Sequence, residues 1–261
     1  MGRKRSSMRV ALVQWAASLD PAANLERLDE LDDIARDADL VVLPEAFARD
    51  FGDPGGDLSA YAEPLDGPFA DKLADLARRH GTTVVAGMFE TSPDPGRPFN
   101  ALVVAAPERR SPYRKIHLYD SFGHRESDRV SPGKPDPMTV EVNGLSVGLM
   151  TCYDLRFPEL ARALVSQGAE VLVVPAAWVA GPYKVDHWRT LLRARAIENI
   201  AYVIGVGQPG PRYCGHSAAI SPVGELLIEA GESPDLISVE LPLDAVRRAR
   251  EANPSLANRR M

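Results

Sequence analysis

The order in which apolar runs and helical patterns follow one another restricts the fold of this chain more than any other feature. Early in the chain, the strand-like runs 9–16 and 39–46 flank an amphipathic helical pattern over 21–38. Later, hairpin patterns dominate, the clearest being two β-prone runs around Asn143-Gly144, a pair favoured in type I′ turns. Crossover helices give parallel strand pairs and hairpins give antiparallel ones. The sequence therefore predicts an α/β protein with mixed sheets rather than a purely parallel barrel.

The length and continuity of the chain predict one domain. No linker, composition break or internal repeat divides the 261 residues, so we expect a single domain over residues 8–261, preceded by a loose basic extension over residues 1–7. Gly2 and Ser6 fit the N-myristoylation pattern. Because no apolar segment follows, the segment is not a signal peptide, and we interpret it as an extension.

Composition argues against several classes of partner. No run of eighteen apolar residues is present, which predicts no membrane span. A formal net charge of −6 without a basic stripe predicts no nucleic-acid partner. The two cysteines, Cys152 and Cys214, form no disulfide framework, and no Cys/His spacing suggests zinc. We therefore expect a cytoplasmic protein.

The stretch GVGQPG at 205–210 matches the G-x-G-x-x-G spelling of a dinucleotide site. That site requires a helix to begin inside the motif and to direct its N-terminus at a pyrophosphate. Pro209 and Pro211 prevent such a helix here, and another strand begins soon afterwards. We expect no dinucleotide site at this position.

Cys152 lies in MTCYDLRFPEL, between an apolar strand-like run and a helical segment that begins at Pro158. A thiol at such a junction is expected to be exposed at the edge of the sheet, where amide dipoles favour the thiolate. A structural cysteine explains the position equally well. Cys214, in the loop-like RYCGHS, lacks even this support.

Two charged residues occupy positions where apolar residues are expected. Glu45 directly follows the strand-like LVVLP, either exposed at a sheet edge or desolvated as a general base. Lys115 lies in a predicted strand over 113–119, where strict alternation puts Lys115, His117 and Tyr119 on one face. Taken alone, a solvated strand face explains the lysine.

Three blocks together resemble the carbon–nitrogen hydrolase (nitrilase) superfamily: LPEAF around Glu45, YRKIHLYD around Lys115, and TCYDLRFPEL around Cys152. They stand in that family's order, separated by 70 and 37 residues. Secondary matches include RESDRVSPG, PAAW and GHSAAISPVGE, so the resemblance covers essentially residues 8–261. The wording CYDLRFPEL is closest to the Nit-type amidase branch, which includes ω-amidases and deaminated-glutathione amidases.

This resemblance implies a role for each catalytic residue. Cys152 attacks the carbonyl carbon of an amide, while Glu45 takes the thiol proton and later donates a proton to the departing ammonia. Lys115 stabilises the oxyanion together with the backbone N–H of Tyr153. Glu126 matches the family's second glutamate, which orients the lysine; its alternative is an ordinary loop carboxylate. Water then hydrolyses the thioester, and neither a metal nor an organic cofactor is called for.

The resemblance also implies an architecture and a substrate class. The family fold is a four-layer α-β-β-α sandwich of two mixed sheets, and its members pair through their helical layers into homodimers. Trp178 could line the pocket or belong to the core, and Arg156 could bind a substrate carboxylate or form a salt bridge within the turn. The implied substrate is a short linear acid with a terminal carboxamide.

Alternatives to this interpretation are open at the level of sequence. A Cys–His hydrolase would pair Cys152 with His187 or His216 and would not need Glu45 or Lys115. A catalytically silent binding protein could keep the same fold. Within the superfamily, a nitrilase or an N-carbamoyl amidohydrolase is possible, although Leu155 stands where the latter carry a second arginine.

Overall fold

The structure, a computed structural model, describes residues 6–260. Its strands are β1 (Ser7–Gln14), β2 (Leu40–Val42), β3 (Thr83–Glu90), β4 (Phe99–Ala106), β5 (Arg109–Arg114), β6 (Asp120–Ser121), β7 (His124–Arg125), β8 (Thr139–Val142), β9 (Leu145–Leu149), β10 (Val171–Ala176), β11 (Tyr202–Gly207), β12 (Ala218–Ile220), β13 (Leu226–Glu229) and β14 (Asp235–Pro242). Its α-helices are α1 (Pro21–Arg27), α2 (Asp32–Asp37), α3 (Pro68–His80), α4 (Pro158–Ser166), α5 (Lys184–Asn199) and α6 (Ala245–Ala252).

Two six-stranded sheets organise the described chain, one in the order β14-β1-β2-β3-β4-β5 and the other β13-β12-β11-β10-β9-β8. In the first sheet β1, β2 and β3 pair in parallel, whereas β14, β4 and β5 are antiparallel to their neighbours. The second sheet repeats this plan, with β9, β10 and β11 parallel. The prediction of mixed sheets is therefore confirmed.

The two sheets pack face to face through their apolar side chains. One core cluster joins Leu12 and Val85 of the first sheet to Val147, Val173 and Ile204 of the second. Because successive strand residues point to opposite faces, the alternate residues of these same strands form the outer faces. Burial of both faces accounts for the continuously apolar parallel strands.

Helices cover both outer faces. On the first sheet, Phe69 and Leu73 of α3 pack against Val41 and Val103. On the second, Trp188 and Leu192 of α5 and Leu164 of α4 pack in one cluster with the outward residues of β10 and β11. The layers therefore run α-β-β-α, which confirms the predicted four-layer sandwich.

Two local predictions are confirmed. The β8–β9 hairpin turns at Asn143 and Gly144, whose φ angles of 45° and 85° fit a type I′ turn. No helix begins in the GVGQPG stretch: β11 ends at Gly207 and the described chain stays irregular until β12. Gly205 serves packing instead, since a Cβ there would lie 2.6 Å from the Trp188 ring.

The helix predicted over 21–38 is not one continuous α-helix. α1 ends at Arg27, a 3₁₀ turn covers Leu28–Leu31, and α2 follows. The apolar residues Leu25, Leu28, Leu31 and Ile34 recur at strict three-residue steps. On an α-helix this spacing drifts around the surface, whereas a 3₁₀ helix places residues i and i+3 in line. The tighter turn thus keeps Leu28 and Leu31 buried.

The strand predicted over 113–119 is wrong beyond its second residue, because β5 ends at Arg114. Lys115 makes one more backbone bond to β4, from its N–H to the Asn100 carbonyl at 2.8 Å. The chain then leaves the sheet, and the next backbone N–H groups bond to side chains, with His117 N donating to Asp154. At the other end of the chain, β1 begins at Ser7, one residue before the expected start of the domain, and Gly2 lies outside the described residues.

No helix within residues 6–260 combines the length and apolar character needed to cross a membrane.

Candidate active site

Glu45 lies at the turn that follows β2, and its carboxylate is almost wholly buried, at 1% exposure. The turn is held tightly against β3, because Gly87 N donates to the Pro44 carbonyl at 3.0 Å and Ala48 N donates to the Gly87 carbonyl at 2.9 Å. A Cβ at Gly87 would lie 2.2 Å from the backbone nitrogen of Ala46, so only glycine permits this approach. Of the two environments predicted for Glu45, the structure shows the desolvated one.

Lys115 is buried between two carboxylates. Its Nζ donates to Glu45 Oε1 and to Glu126 Oε2, both at 2.9 Å. Burial by itself would lower the pKa of this ammonium, but the charges of Glu126 and Glu45 outweigh burial and hold the pKa of Lys115 well above its ordinary value. The lysine therefore stays cationic, and it is not on a solvated strand face.

Glu126 is part of the same buried cluster rather than an ordinary loop carboxylate. It begins a 3₁₀ turn over Glu126–Asp128 and is 3% exposed. Besides the bond from Lys115, its Oε2 accepts the backbone N–H of Tyr119 at 2.7 Å. These contacts hold the carboxylate beside the lysine, as the resemblance implied.

Cys152 begins a 3₁₀ turn over Cys152–Arg156, directly after the strand β9 and the residues 150–151. Its φ of 45° lies in the left-handed region, which costs a non-glycine residue about 1–3 kcal/mol and is typical of functional sites. The thiol is 9% exposed, so the prediction that it would be exposed at the sheet edge is wrong.

The groups around Cys152 do not favour its thiolate, contrary to the expectation from amide dipoles. Burial, followed by the charge of the hydrogen-bonded Glu45 carboxylate, raises the pKa of the Cys152 thiol well above its ordinary value, and Lys115 opposes this shift only in part. The sulfur therefore carries its proton at neutral pH, with a carboxylate beside it to receive that proton.

Asn100 completes this buried group, although sequence reasoning missed it. Its Nδ2 donates to Glu45 Oε1 at 2.7 Å and to Glu126 Oε1 at 2.9 Å. The signal in the sequence was a single amide inside the apolar strand FNALVVAA. A second missed contact is the backbone N–H of Ala177, which donates to Glu45 Oε2 at 2.7 Å.

Asp154 is a further missed residue, fully buried in the turn that begins at Cys152. Its Oδ2 accepts from Tyr113 Oη at 2.7 Å and from Thr151 N at 2.9 Å, and its Oδ1 lies 2.7 Å from His117 Nδ1. These bonds join the turn of the thiol to the segment that carries the lysine.

The catalytic side chains open into one cavity of about 480 Å³. Several aromatic rings line it: the ring of Tyr153 packs edge-on against Tyr119, with centroids 5.0 Å apart, and Trp178 is also part of the wall. The buried Trp178 serves both predicted roles, since it lines the cavity and also packs on Trp188 in the core. A cavity of this size suits a small molecule.

Arg156 and Lys184 line the cavity without an ion-pair partner among residues 6–260, as does Arg129, whose guanidinium donates to the Gly56 and Phe51 carbonyls instead. Arg156 lies over the Trp178 ring at 4.9 Å, and its buried Nε has no hydrogen-bond partner within the described chain. Lys184, which sequence reasoning missed, donates to Tyr119 Oη at 3.2 Å and lies 4.3 Å from the ring centre of Phe122. The structure shows no salt bridge of Arg156 within its own turn.

The proposed Cys–His pairs are not seen. His187 faces Arg156 at 3.5 Å, and His216 lies 3.2 Å from Glu229. Neither imidazole lines the cavity that holds Cys152. Cys214 lies apart from the carboxylates, buried, with its pKa raised by that burial to about 12.

A thiol with an adjacent buried carboxylate and ammonium, in a cavity between two mixed sheets, defines a hydrolase of the cysteine-nucleophile class. The comparisons with known proteins identify it further. The carbon-nitrogen hydrolase family profile matches residues 9–251, so the chain belongs to this family and hydrolyses carbon–nitrogen bonds. The resemblance predicted from the three sequence blocks is thereby confirmed.

Named relatives and a solved structure agree with this assignment. A deaminated glutathione amidase of Escherichia coli O157:H7 is 46% identical over 227 residues, covering 86% of each chain. A hydrolase of Mycobacterium tuberculosis is 40% identical over 271 residues, covering 96% of this chain and 95% of the relative. The crystal structure of XC1258 from Xanthomonas campestris, a CN-hydrolase superfamily protein, superposes with a TM-score of 0.88 at 29% identity, covering 98% of each chain.

Proposed function

We propose that the protein is an amidase that converts a short linear acid carrying a terminal carboxamide into a dicarboxylate and ammonia. The observation that carries the proposal is one cavity with the buried Glu45, Lys115 and Cys152 at its base and the unpaired Arg156 in its wall. The name of the Escherichia coli relative, deaminated glutathione amidase, also supports an amide substrate.

In the first half of the reaction, Cys152 Sγ attacks the amide carbon while the Glu45 carboxylate takes the thiol proton. The raised pKa of the thiol fits this order, because the proton is held on sulfur until the carboxylate beside it accepts it. The C–N bond of the tetrahedral intermediate then breaks. Glu45 returns the proton to the nitrogen, which leaves as ammonia and leaves a thioester.

The second half consumes one water. Glu45 takes a proton from the water as its oxygen attacks the thioester carbon, and the C–S bond breaks as that proton passes back to sulfur. In both halves Lys115 stabilises the developing oxyanion, together with the backbone N–H of Tyr153. Glu126 holds the ammonium in position from its other side.

Arg156 and Lys184 supply the positive charge that would bind the carboxylate at the far end of the substrate. A guanidinium that lacks a carboxylate partner is suited to a bidentate pair with one. Both cations approach the ring of Trp178, at 4.9 Å and 5.9 Å, so an anion beside that ring would meet positive charge from two sides. The acid would then lie along the cavity with its carboxamide directed at Cys152.

The test of this proposal is selective loss in Arg156→Ala. We expect kcat/KM for an ω-amide acid to fall by about 10²-fold, the cost of one lost charge-assisted bond of roughly 3 kcal/mol, while a simple aliphatic amide is little affected. Ammonia release measures both. Arg78→Ala, on the exposed face of α3, serves as the control. Equal turnover of charged and uncharged amides by the wild type would exclude carboxylate recognition.

The same ammonia assay addresses the remaining alternatives. A nitrilase would release ammonia from a nitrile, and an N-carbamoyl amidohydrolase would release carbon dioxide with it. A silent binding protein would release none from any of these compounds. Our proposal requires the carboxamide to be the preferred substrate.

The proposal includes a single domain over residues 8–261, a cytoplasmic setting for the two free thiols, and assembly as a homodimer. Support for the dimer is an exposed apolar group on the helical layer of the second sheet: Ile197 of α5, with Val223 and Leu226 nearby. Light scattering at micromolar concentration should give twice the chain mass of 28.3 kDa. Ile197→Asp should shift the mass towards one chain, whereas a wild-type mass of one chain would exclude the dimer.

A further inference from the structure

One buried amide side chain contacts both carboxylates of the active site. The Nδ2 of Asn100 bonds to both Glu45 and Glu126, and the carbonyl oxygen of the same residue accepts the backbone N–H of Lys115. Asn100 is 1% exposed and lies at the second position of β4, where it pairs with Phe89 of β3. The residue is therefore fixed to the sheet while its side chain contacts two different segments and its backbone carbonyl a third.

The orientation of this amide follows from its neighbours. Carboxylates only accept hydrogen bonds, so the NH₂ group must face Glu45 and Glu126. The Oδ1 atom of Asn100 is then buried with no hydrogen-bond partner among the described residues. A buried carbonyl without a partner destabilises a fold, and leucine, of similar volume, would avoid it. The two hydrogen bonds donated by the NH₂ group are therefore what this position gains from an asparagine, since its carbonyl oxygen makes none.

The charge balance of the site explains what the amide contributes. Two carboxylates share the single ammonium of Lys115. A second cation would satisfy them but would oppose proton transfer to Glu45, and a protonated carboxyl would remove the base. A neutral double donor supplies one hydrogen bond to each carboxylate without adding charge. It holds the two carboxylates apart in fixed positions.

We infer that Asn100 is a positioning residue that fixes the Glu45 and Glu126 carboxylates around Lys115. This inference rests on the proposed role of Glu45 as the general base. The other titratable groups that face these carboxylates are Cys152 and Tyr213 at Glu45 and Arg129 at Glu126. Asn100, by contrast, is uncharged and donates a hydrogen bond to each of the two carboxylates.

The experiment compares Asn100→Leu with the wild type in two pH profiles. One is kcat/KM for amide hydrolysis, and the other is the rate of iodoacetamide labelling of Cys152 followed by mass spectrometry, which needs no substrate. Loss of a hydrogen-bond donor to a carboxylate favours the protonated carboxyl, so the acidic limb of both profiles should move to higher pH. We expect kcat to fall by about 10²-fold with little change in KM, as for a misplaced catalytic group.

Two further variants serve as controls. Asn199→Leu replaces another buried asparagine with an unpartnered Oδ1, whose Nδ2 bonds to Arg195 and Glu198 on α5 instead, and it should leave both profiles unchanged. Asn100→Ser keeps one donor and should give an intermediate shift. Circular dichroism and thermal unfolding report whether each variant folds.

The outcomes separate this inference from the proposed function. If the wild type fails to hydrolyse the amides but the labelling profile still shifts in Asn100→Leu, the proposed substrate is wrong and the positioning role stands. A folded Asn100→Leu with unchanged profiles, or with kcat within about twofold of the wild type, overturns the inference. Failure of both Asn100 variants to fold would assign the residue to stability alone and would overturn it as well.

Discussion

Replacing Cys152 by alanine is expected to abolish amide turnover while the protein keeps its fold. The sulfur forms the covalent bond of the proposed mechanism, and no other group in the cavity can replace a thiol as the nucleophile. Alanine is smaller and takes the place of a side chain already surrounded by protein, so the turn over Cys152–Arg156 should persist. Ammonia release and thermal unfolding measure the two effects separately.

The second cysteine provides the matched control for this prediction. Cys214→Ala should keep its activity, because the Cys214 thiol lies outside the charged cluster and its Sγ bonds only weakly to the Gly215 carbonyl at 3.6 Å. Iodoacetamide should label Cys152 rapidly, because this thiol opens into the cavity beside the Glu45 carboxylate, and Cys214 slowly, because it lies outside the cavity and burial raises its pKa to about 12. Equal labelling of the two thiols, or residual activity in Cys152→Ala, would contradict the assignment of the nucleophile.

Replacing Lys115 by methionine is expected to lower kcat by at least about 10²-fold, the loss seen when one oxyanion donor is removed. Methionine has a similar length but no charge, so Glu45 and Glu126 would face each other without the ammonium between them. One of the two carboxylates would then take a proton near neutral pH. If that carboxylate is Glu45, the base is lost together with the oxyanion donor, and the loss in kcat is larger.

The measurement for Lys115 is kcat and KM as a function of pH. A variant that retains kcat and changes only KM would make Lys115 a substrate-binding group and would contradict the mechanism. Lys115→Arg tests whether charge alone suffices. Its larger planar group cannot occupy the site that two carboxylates hold at 2.9 Å from Nζ, so it should recover little activity.

The active site depends on balanced charge rather than on any one residue. Glu45, Lys115 and Glu126 are all buried, and each would be costly to bury alone. Together they carry one positive and two negative charges, and Asn100 and the Ala177 N–H supply the remaining hydrogen bonds. Removing one member therefore changes the protonation of the others, and pH profiles are more informative here than single rates.

Local patterns in the sequence predicted most of the framework. The alternation of strand-like runs with a helical pattern predicted the mixed sheets, and the Asn143-Gly144 pair predicted the correct hairpin. Such features depend on side-chain period and turn chemistry, which neighbouring residues determine. The three-residue spacing of apolar residues over 21–38 is compatible with an α-helix and with a 3₁₀ helix. The prediction of one continuous α-helix there was wrong.

The site was predicted in part, and through a different kind of information. The three blocks around Glu45, Lys115 and Cys152 were recognised by their resemblance to a family, and their order in the chain gave no distances. The structure places all three at one cavity. Arg156 and Trp178 also line this cavity. From the sequence, each of these two residues had two alternative roles.

What the sequence alone determined is the succession of elements, the mixed sheets, and the identity of the three blocks, because each depends on residues close together in the chain. Only the tertiary structure decided the end of β5 at Arg114, the burial of Cys152, and the contacts of Asn100 and Lys184. These depend on the burial and charge that distant segments impose on one another. Desolvation and hydrogen bonding act through space, so no local pattern records them.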